Sequence, residues 1–258
     1  MIQLEGLTKR YGRFTAVDSL DLHVAPGELF GFVGPNGAGK TTTIRMLVGV
    51  MRPSEGRVRV AGHDLIESPI EAKRAIGYIP DRPYLYGKLT GMEFLRFVAR
   101  LWGREGEETE RRAEELLDLF ELGAWKDTLV ESYSHGMRQK LLISSALVHS
   151  PRLIVVDEPM VGLDPKAARL IKDLLARFTQ EGGTVFLSTH TLEVAEALCD
   201  RIAILNEGRI RAVGTMDELR REAAAGMAGL EEIFLKLTGG ERVAELVAAL
   251  RPDSEAAV

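Results

Sequence analysis

Residues Gly34 to Thr42 read GPNGAGKTT, with Gly34, Gly39, Lys40 and Thr41 at the fixed places of G-x-x-x-x-G-K-[ST]. The apolar run Leu29-Phe30-Gly31-Phe32-Val33 precedes them and Thr42-Thr43-Ile44-Arg45-Met46-Leu47 follows. A strand that feeds a glycine-rich turn and then opens a helix points successive backbone N–H groups into one concavity, where they wrap a polyphosphate. Glycine is required because a Cβ would block the approach and forbid the turn's dihedrals. In this geometry Lys40 reaches the β- and γ-phosphates and the Thr41 hydroxyl ligates Mg²⁺. The candidate phosphate-binding set is Gly34, Pro35, Asn36, Gly37, Ala38, Gly39, Lys40, Thr41 and Thr42.

A chain of 258 residues that is 45% hydrophobic and 6% aromatic can bury a large core and a second lobe. Its 33 basic and 38 acidic residues leave a net charge of −5. That balance argues against a nucleic-acid partner, which calls for a basic stripe. The single cysteine, Cys199, excludes an intramolecular disulfide and a cysteine-based zinc site; it reads as a small apolar residue on a helix in a reducing compartment. No charge-free run has the length of a membrane span, and MIQLEGLTKR has no apolar signal core. The expectation is a soluble, cytoplasmic chain that works at a membrane only through a partner.

Ile2 to Leu7 alternate as a half-buried strand, and Phe14-Thr15-Ala16-Val17 with Leu20 to Val24 extend an antiparallel sheet up to Pro26-Gly27. Tyr11 sits on the turn between them, either as a packing residue or as a flat ring able to stack on a purine. Gly56 to Gly62 and Ile76 to Pro80 are further strands, the second ending at Asp81. Then the period changes. Leu95, Val98, Ala99 and Trp102, and later Ala113, Leu116, Leu117 and Phe120, recur at helical spacing. Trp102 and Trp125 read as core anchors. Ser134 and Gly136 precede a helix that runs through Leu141, Leu142 and Ala146 to His149, where they serve equally well as a helix cap or as a second anion site.

Leu153-Ile154-Val155-Val156 ends in Asp157-Glu158. A continuous apolar run suits a strand covered on both faces, and two carboxylates at its end are costly unless a cation meets them. Mg²⁺ held with Thr41 is the obvious candidate, with Asp157 on the ion and Glu158 polarising an attacking water as general base. Ala167 to Phe178 form a helix that ends at Gly182-Gly183. Thr184 to Thr189 form another buried strand, with His190 at its C-terminal edge, where ligands of open α/β sheets lie. Ile202 to Leu205 and Arg209 to Val213 flank the hairpin signal Asn206-Glu207-Gly208. Beyond them run two helical stripes, Leu230-Ile233-Phe234-Leu237 and Val243-Leu246-Val247-Leu250, and a tail from Pro252 that is expected to be disordered.

The ordered set GPNGAGKTT, YSHGMRQK, LIVVDEP, GLDP and His190 resembles the nucleotide-binding subunit of ATP-binding cassette (ABC) transporters over roughly residues 2–220. The resemblance implies an α/β fold with a RecA-like core, an N-terminal antiparallel β-subdomain and an inserted helical subdomain at about 84–149, leaving 221–258 as a C-terminal helical extension. It implies ATP and Mg²⁺ sandwiched between two cassettes, alike or homologous, arranged head to tail. Tyr11 then resembles the adenine-stacking aromatic, Asp157 the metal-binding acid, Glu158 the general base and His190 the switch histidine. Ser134 and Gly136 resemble the signature that caps the γ-phosphate on the other subunit, and Asp164 belongs to the loop that crosses the interface.

Two departures stand out. Tyr133, His135 and Met137 replace three residues of the usual L-S-G-G-Q signature, and Asp81 stands where a metal-holding glutamine is usual. An aspartate still offers oxygen to a hard cation. The variant signature resembles that of ABC-2-type exporters whose membrane-spanning permease is a separate chain, and it implies a peripheral place at the cytoplasmic face of the membrane. A cassette ATPase acting on a soluble protein assembly is the alternative expectation.

Overall fold

The computed structural model describes residues 1–82, 84–160, 163–223 and 229–238. In chain order these build β1 (Ile2–Tyr11), β2 (Phe14–Val24), β3 (Leu29–Val33), α1 (Lys40–Leu47), β4 (Glu55–Val60), β5 (His63–Asp64), α2 (Pro69–Arg74), β6 (Ile76–Ile79), α3 (Gly91–Leu101), α4 (Glu107–Leu119) and α5 (His135–Leu147). The second half holds β7 (Leu153–Asp157), α6 (Pro165–Gln180), β8 (Thr184–Thr189), α7 (Leu192–Leu198), β9 (Arg201–Asn206), β10 (Arg209–Gly214), α8 (Met216–Glu222) and α9 (Leu230–Thr238).

Two sheets share the chain. β2-β1-β4-β5 is antiparallel, while β10-β9-β3-β8-β7-β6 is parallel except for the β9–β10 hairpin at its edge. Every residue of β3, β7 and β8 is buried, which explains why these strands read as unbroken apolar runs rather than alternating ones. Alternation still decides which face each side chain serves. Phe30, Phe32, Val155 and Phe186 point toward α1 and the antiparallel sheet. Leu29, Ile154, Val156 and Leu187 point the other way, toward α6 and the helices of the insertion. Phe186 is fully buried, its ring centroid 5.8 Å from that of Phe30 and 5.2 Å from that of Phe32. A side chain of this kind stabilises the fold by about 3–5 kcal/mol against truncation to alanine.

Several local expectations change. β1 and β2 run farther than the period-2 pattern indicates, to Tyr11 and unbroken from Phe14, because register shifts and left-handed backbone at Gly6 and Ser19 interrupt the alternation without ending the ladder. α5 stops at Leu147 rather than His149. Trp125 is 48% exposed and so is no core anchor. Trp102 caps the C-terminus of α3, half-buried against the ring of His149, whose centroid lies 4.6 Å away. Cys199 ends α7 with its thiol packed at Gly31, and burial pushes the thiol pKa up. The stripe at Leu230 and Ile233 is buried against Val33, Ala195 and Ile204. The stripe from Val243 and the tail from Pro252 lie outside the described residues.

Candidate functional site

β3 delivers the chain into the loop at Gly34, and α1 carries it away from Lys40. Gly37 and Gly39 have φ of +80° and +108°, conformations that a side chain resists. The constraint at Gly34 differs from the one expected. A Cβ there would lie 2.4 Å from the carbonyl oxygen of Leu205 on β9, and one at Gly39 would lie 2.5 Å from that of Ala16 on β2. These two glycines admit neighbouring strands as well as a ligand.

The loop opens on a cavity of about 490 Å³, lined by Asn36, Gly37, Gly39, Lys40, Thr41 and Thr42 and by Tyr11, Phe14, Ala16, Asp81, Asp157, Glu158 and His190. The fold thus brings Tyr11, the loop, Asp81, both end-of-strand acids and the histidine to one place. Gly34, Pro35 and Ala38 lie behind the lining. Ser134, Gly136 and Asp164 are not brought to it. Ser134 caps α5, its Oγ accepting from the N–H of Met137 at 3.2 Å; Asp164 caps α6, its Oδ1 accepting from the N–H of Ala167 at 2.9 Å. The backbone N–H groups of Ala167, first, and Lys166 hold the Asp164 carboxyl below its ordinary pKa. Gly162, from the same turn, lies outside the described residues.

Phe14 is a lining residue that the sequence reading missed. It pairs with Tyr11 across the β1–β2 turn, and the two rings remain 64% and 46% exposed. Two aromatics flanking Gly12-Arg13, ahead of a phosphate loop, were the available signal. The Tyr11 hydroxyl donates to Met51 Sδ at 3.1 Å, and Lys9 Nζ sits 5.5 Å from the ring centroid.

Charge is crowded at the end of β7. Asp157 is 1% exposed, and burial raises its pKa; Asp81 and Glu158 raise it further, while a hydrogen bond from Thr41 Oγ1 to Oδ2 at 3.2 Å opposes the rise. Lys40 does not neutralise the acids directly. Its Nζ donates to the carbonyl oxygens of Gly34 at 2.6 Å and Pro35 at 3.2 Å, and burial lowers its pKa against the pull of Glu158 and Asp157. Asp157 with the Thr41 hydroxyl offers two oxygen ligands that fit a hard divalent cation, while among the described residues no three acids or histidines stand together as a metal cluster.

Glu158 is held hard. Its φ is +53°, a strain of about 1–2 kcal/mol for a residue with a Cβ. Such conformations persist where the surroundings over-determine them. Here the Glu158 N–H donates to the Ser188 carbonyl oxygen at 3.0 Å, Oε1 lies 2.8 Å from His190 Nδ1, and Oε2 accepts from Thr189 Oγ1 at 3.3 Å.

This arrangement has known counterparts. Residues 17–161 match the ABC transporter family. The chain belongs to that family. It is 41% identical over 229 residues to the daunorubicin/doxorubicin resistance ATP-binding protein DrrA of Streptomyces peucetius, covering 89% of this chain and 69% of the relative. It is 37% identical over 219 residues to the Nod factor export ATP-binding protein I of Cupriavidus metallidurans, covering 85% of this chain and 72% of the relative. Among solved structures it resembles the dimeric post-hydrolysis state of an ATP-binding cassette bound to ADP and Pi, with a TM-score of 0.77, 26% identity, and coverage of 84% of this chain and 99% of that one.

The cassette is accordingly an ATP-binding, ATP-hydrolysing subunit, and its α/β architecture is that of the family. It works with a second cassette and a membrane partner. Among the described residues no helix is long and apolar enough to cross a membrane.

Proposed function

We propose that this cassette powers export by a separate membrane-spanning permease, with the ATP site divided between two cassettes paired head to tail. The observation that carries this reading is the convergence of the phosphate loop, Asp157, Glu158 and His190 on one cavity while Ser134, Gly136 and Asp164 stay outside it. Gly136 adds support. It lies inside α5, where an added Cβ would meet nothing within 4 Å. Glycine costs about 0.5–1 kcal/mol in a helix relative to alanine, so its presence answers to something outside this chain, such as a neighbour's γ-phosphate.

In this reading Tyr11 and Phe14 stack on the adenine, and the loop amides with Lys40 hold the phosphates. Thr41, Asp157 and Asp81 hold Mg²⁺, which when bound offsets the charge that builds on the phosphate oxygens. Glu158 orients the attacking water and takes its proton, while His190 turns toward the γ-phosphate. Ser134 and Gly136 of each chain cover the ATP of the other, and Asp164 sits in the loop at their junction.

The surface for the permease lies beside Asp81. Tyr84, Tyr86, Phe97 and Leu101 leave 38–79% of their area exposed around an apolar groove of about 410 Å³ between α3 and the core. Export is supported by the likeness to the Nod factor export protein.

The test is steady-state ATPase activity across protein concentration, with Glu158→Gln beside the wild type. Turnover per subunit rises with concentration when two chains complete each site. The variant binds ATP, dimerises stably and loses turnover by about 10²-fold or more, the usual range for removal of a general base. Wild-type turnover in Glu158→Gln would remove Glu158 from that role.

A further inference from the structure

The cavity's acids are not held by β7 alone. Thr189, the last residue of β8, is 3% exposed, and its hydroxyl makes two bonds. Oγ1 donates to Glu158 Oε2 at 3.3 Å and accepts from the N–H of Thr191 at 3.0 Å. One hydroxyl has one hydrogen and two lone pairs, so both bonds form at once. A single side chain therefore joins the Glu158 carboxylate to the turn that carries His190 and opens α7.

We propose that Thr189 is a positioning residue for ATP hydrolysis, tethering one oxygen of Glu158 so that the other faces the water. This rests on the reading of Glu158 as general base. Three links to the same short stretch of β8 and its turn, from Ser188, Thr189 and His190, hold Glu158 in its left-handed backbone conformation. Of the two side-chain links, only the one from Thr189 uses a group that hydrolysis does not otherwise call on. The His190 ring must leave Oε1 to reach a γ-phosphate. Once it has left, Oε2 stays fixed by Thr189 and Oε1 is the free oxygen.

The step then balances without a further reactant. The water oxygen bonds to the γ-phosphorus as the bond from phosphorus to the oxygen retained by ADP breaks, and the water's proton passes to Oε1. At 3.3 Å the Thr189 bond is long for a hydroxyl on a carboxylate, which suits an orienting contact and not a proton path. The same hydroxyl sets where His190 stands. The Thr191 N–H that it accepts is a donor at the entry to α7, and the Thr191 side chain makes no cap of its own.

Two variants separate the hydroxyl from the shape of the side chain. Thr189→Val keeps the branched volume and removes both bonds; Thr189→Ser keeps the hydroxyl. They are assayed on the purified full chain beside wild type and Glu158→Gln, for kcat, for KM of ATP, and for hydrogen exchange at the Thr191 amide. A displacement of the reacting group by an ångström or less lowers turnover by roughly 10- to 100-fold, so Thr189→Val is expected to lose that much kcat with KM within about 2-fold of wild type. Thr189→Ser retains kcat within about 3-fold, since the orienting contact survives. The Thr191 amide exchanges faster in the valine variant alone, a readout that needs no turnover.

Wild-type kcat in Thr189→Val alongside an inactive Glu158→Gln would overturn this inference and leave the base reading intact. Wild-type turnover in Glu158→Gln would overturn the base reading beneath it. Equal Thr191 exchange in all the proteins would show that the hydroxyl does not hold the turn, and would overturn the bridge from Glu158 to it.

Discussion

Alanine at Gly136 should make the isolated chain more stable and the enzyme worse. Gly136 is the second residue of α5, behind the Ser134 cap, and its φ is not among the positive ones. An added Cβ meets nothing within 4 Å. Alanine therefore fits the backbone and gains helix propensity while restricting the unfolded chain, together worth about 0.5–1 kcal/mol. For a domain of this size that gain raises Tm by about 1–4 °C. On the proposed interface the same methyl sits where a neighbour's γ-phosphate approaches, and turnover falls by about 10-fold or more because the donors there are displaced from the developing charge. Thermal unfolding without nucleotide, steady-state ATPase activity and ATP-driven dimerisation in the Glu158→Gln background measure the three quantities. A raised Tm with wild-type turnover and dimerisation would refute the assignment of Gly136 to the phosphate-facing surface. A lowered Tm would refute the reading of its surroundings.

Gly39→Ala acts in the opposite sense. At φ of +108°, with a Cβ 2.5 Å from the Ala16 carbonyl oxygen, it should destabilise by about 2 kcal/mol or more and abolish nucleotide binding, read by urea unfolding and fluorescent-nucleotide titration; retained affinity would contradict the close approach of β2. His149 predicts acid sensitivity. It is 4% exposed, its Nε2 bonds the Ile76 carbonyl oxygen at 3.0 Å, and burial lowers its pKa from 6.5 to about 4. Between those values the unfolded chain binds a proton that the native one refuses, so stability falls as pH drops through this window. Linkage gives a loss of about 2 kcal/mol between pH 7.5 and pH 5. Urea midpoints at the two pH values should show that loss in wild type and lack it in His149→Gln; equal pH dependence would refute the assignment.

What the sequence made legible was whatever a few neighbouring residues dictate. The phosphate loop, the apolar run ending in Asp157-Glu158 and the hairpin at Asn206-Glu207-Gly208 are local patterns, and each stands where expected. Strand lengths were less legible, because bulged ladders at Gly6 and Ser19 break the period-2 pattern that reveals a strand. Tryptophan alone carries no information about depth, so Trp125 read as core although it lies on the surface. Ser134 and Gly136 read equally well as a helix cap or as an anion site, and Asp164 entered only by resemblance, since within one chain Ser134 and Asp164 look like ordinary helix caps.

Thr189 was not legible at all, and the reason lies in sheet order. Nothing near residue 158 in sequence points to a partner 31 residues away. The contact follows once β8 lies between β3 and β7 in parallel register, with Asp157 opposite Ser188. Parallel strands end on the same side, so an acidic pair that closes one strand must lie beside whatever closes its neighbour. Asp157-Glu158 therefore meet Ser188-Thr189-His190 as a consequence of pairing. The sequence supplied both groups of residues; only the strand order shows that the hydroxyl of one stands against the carboxylate of the other.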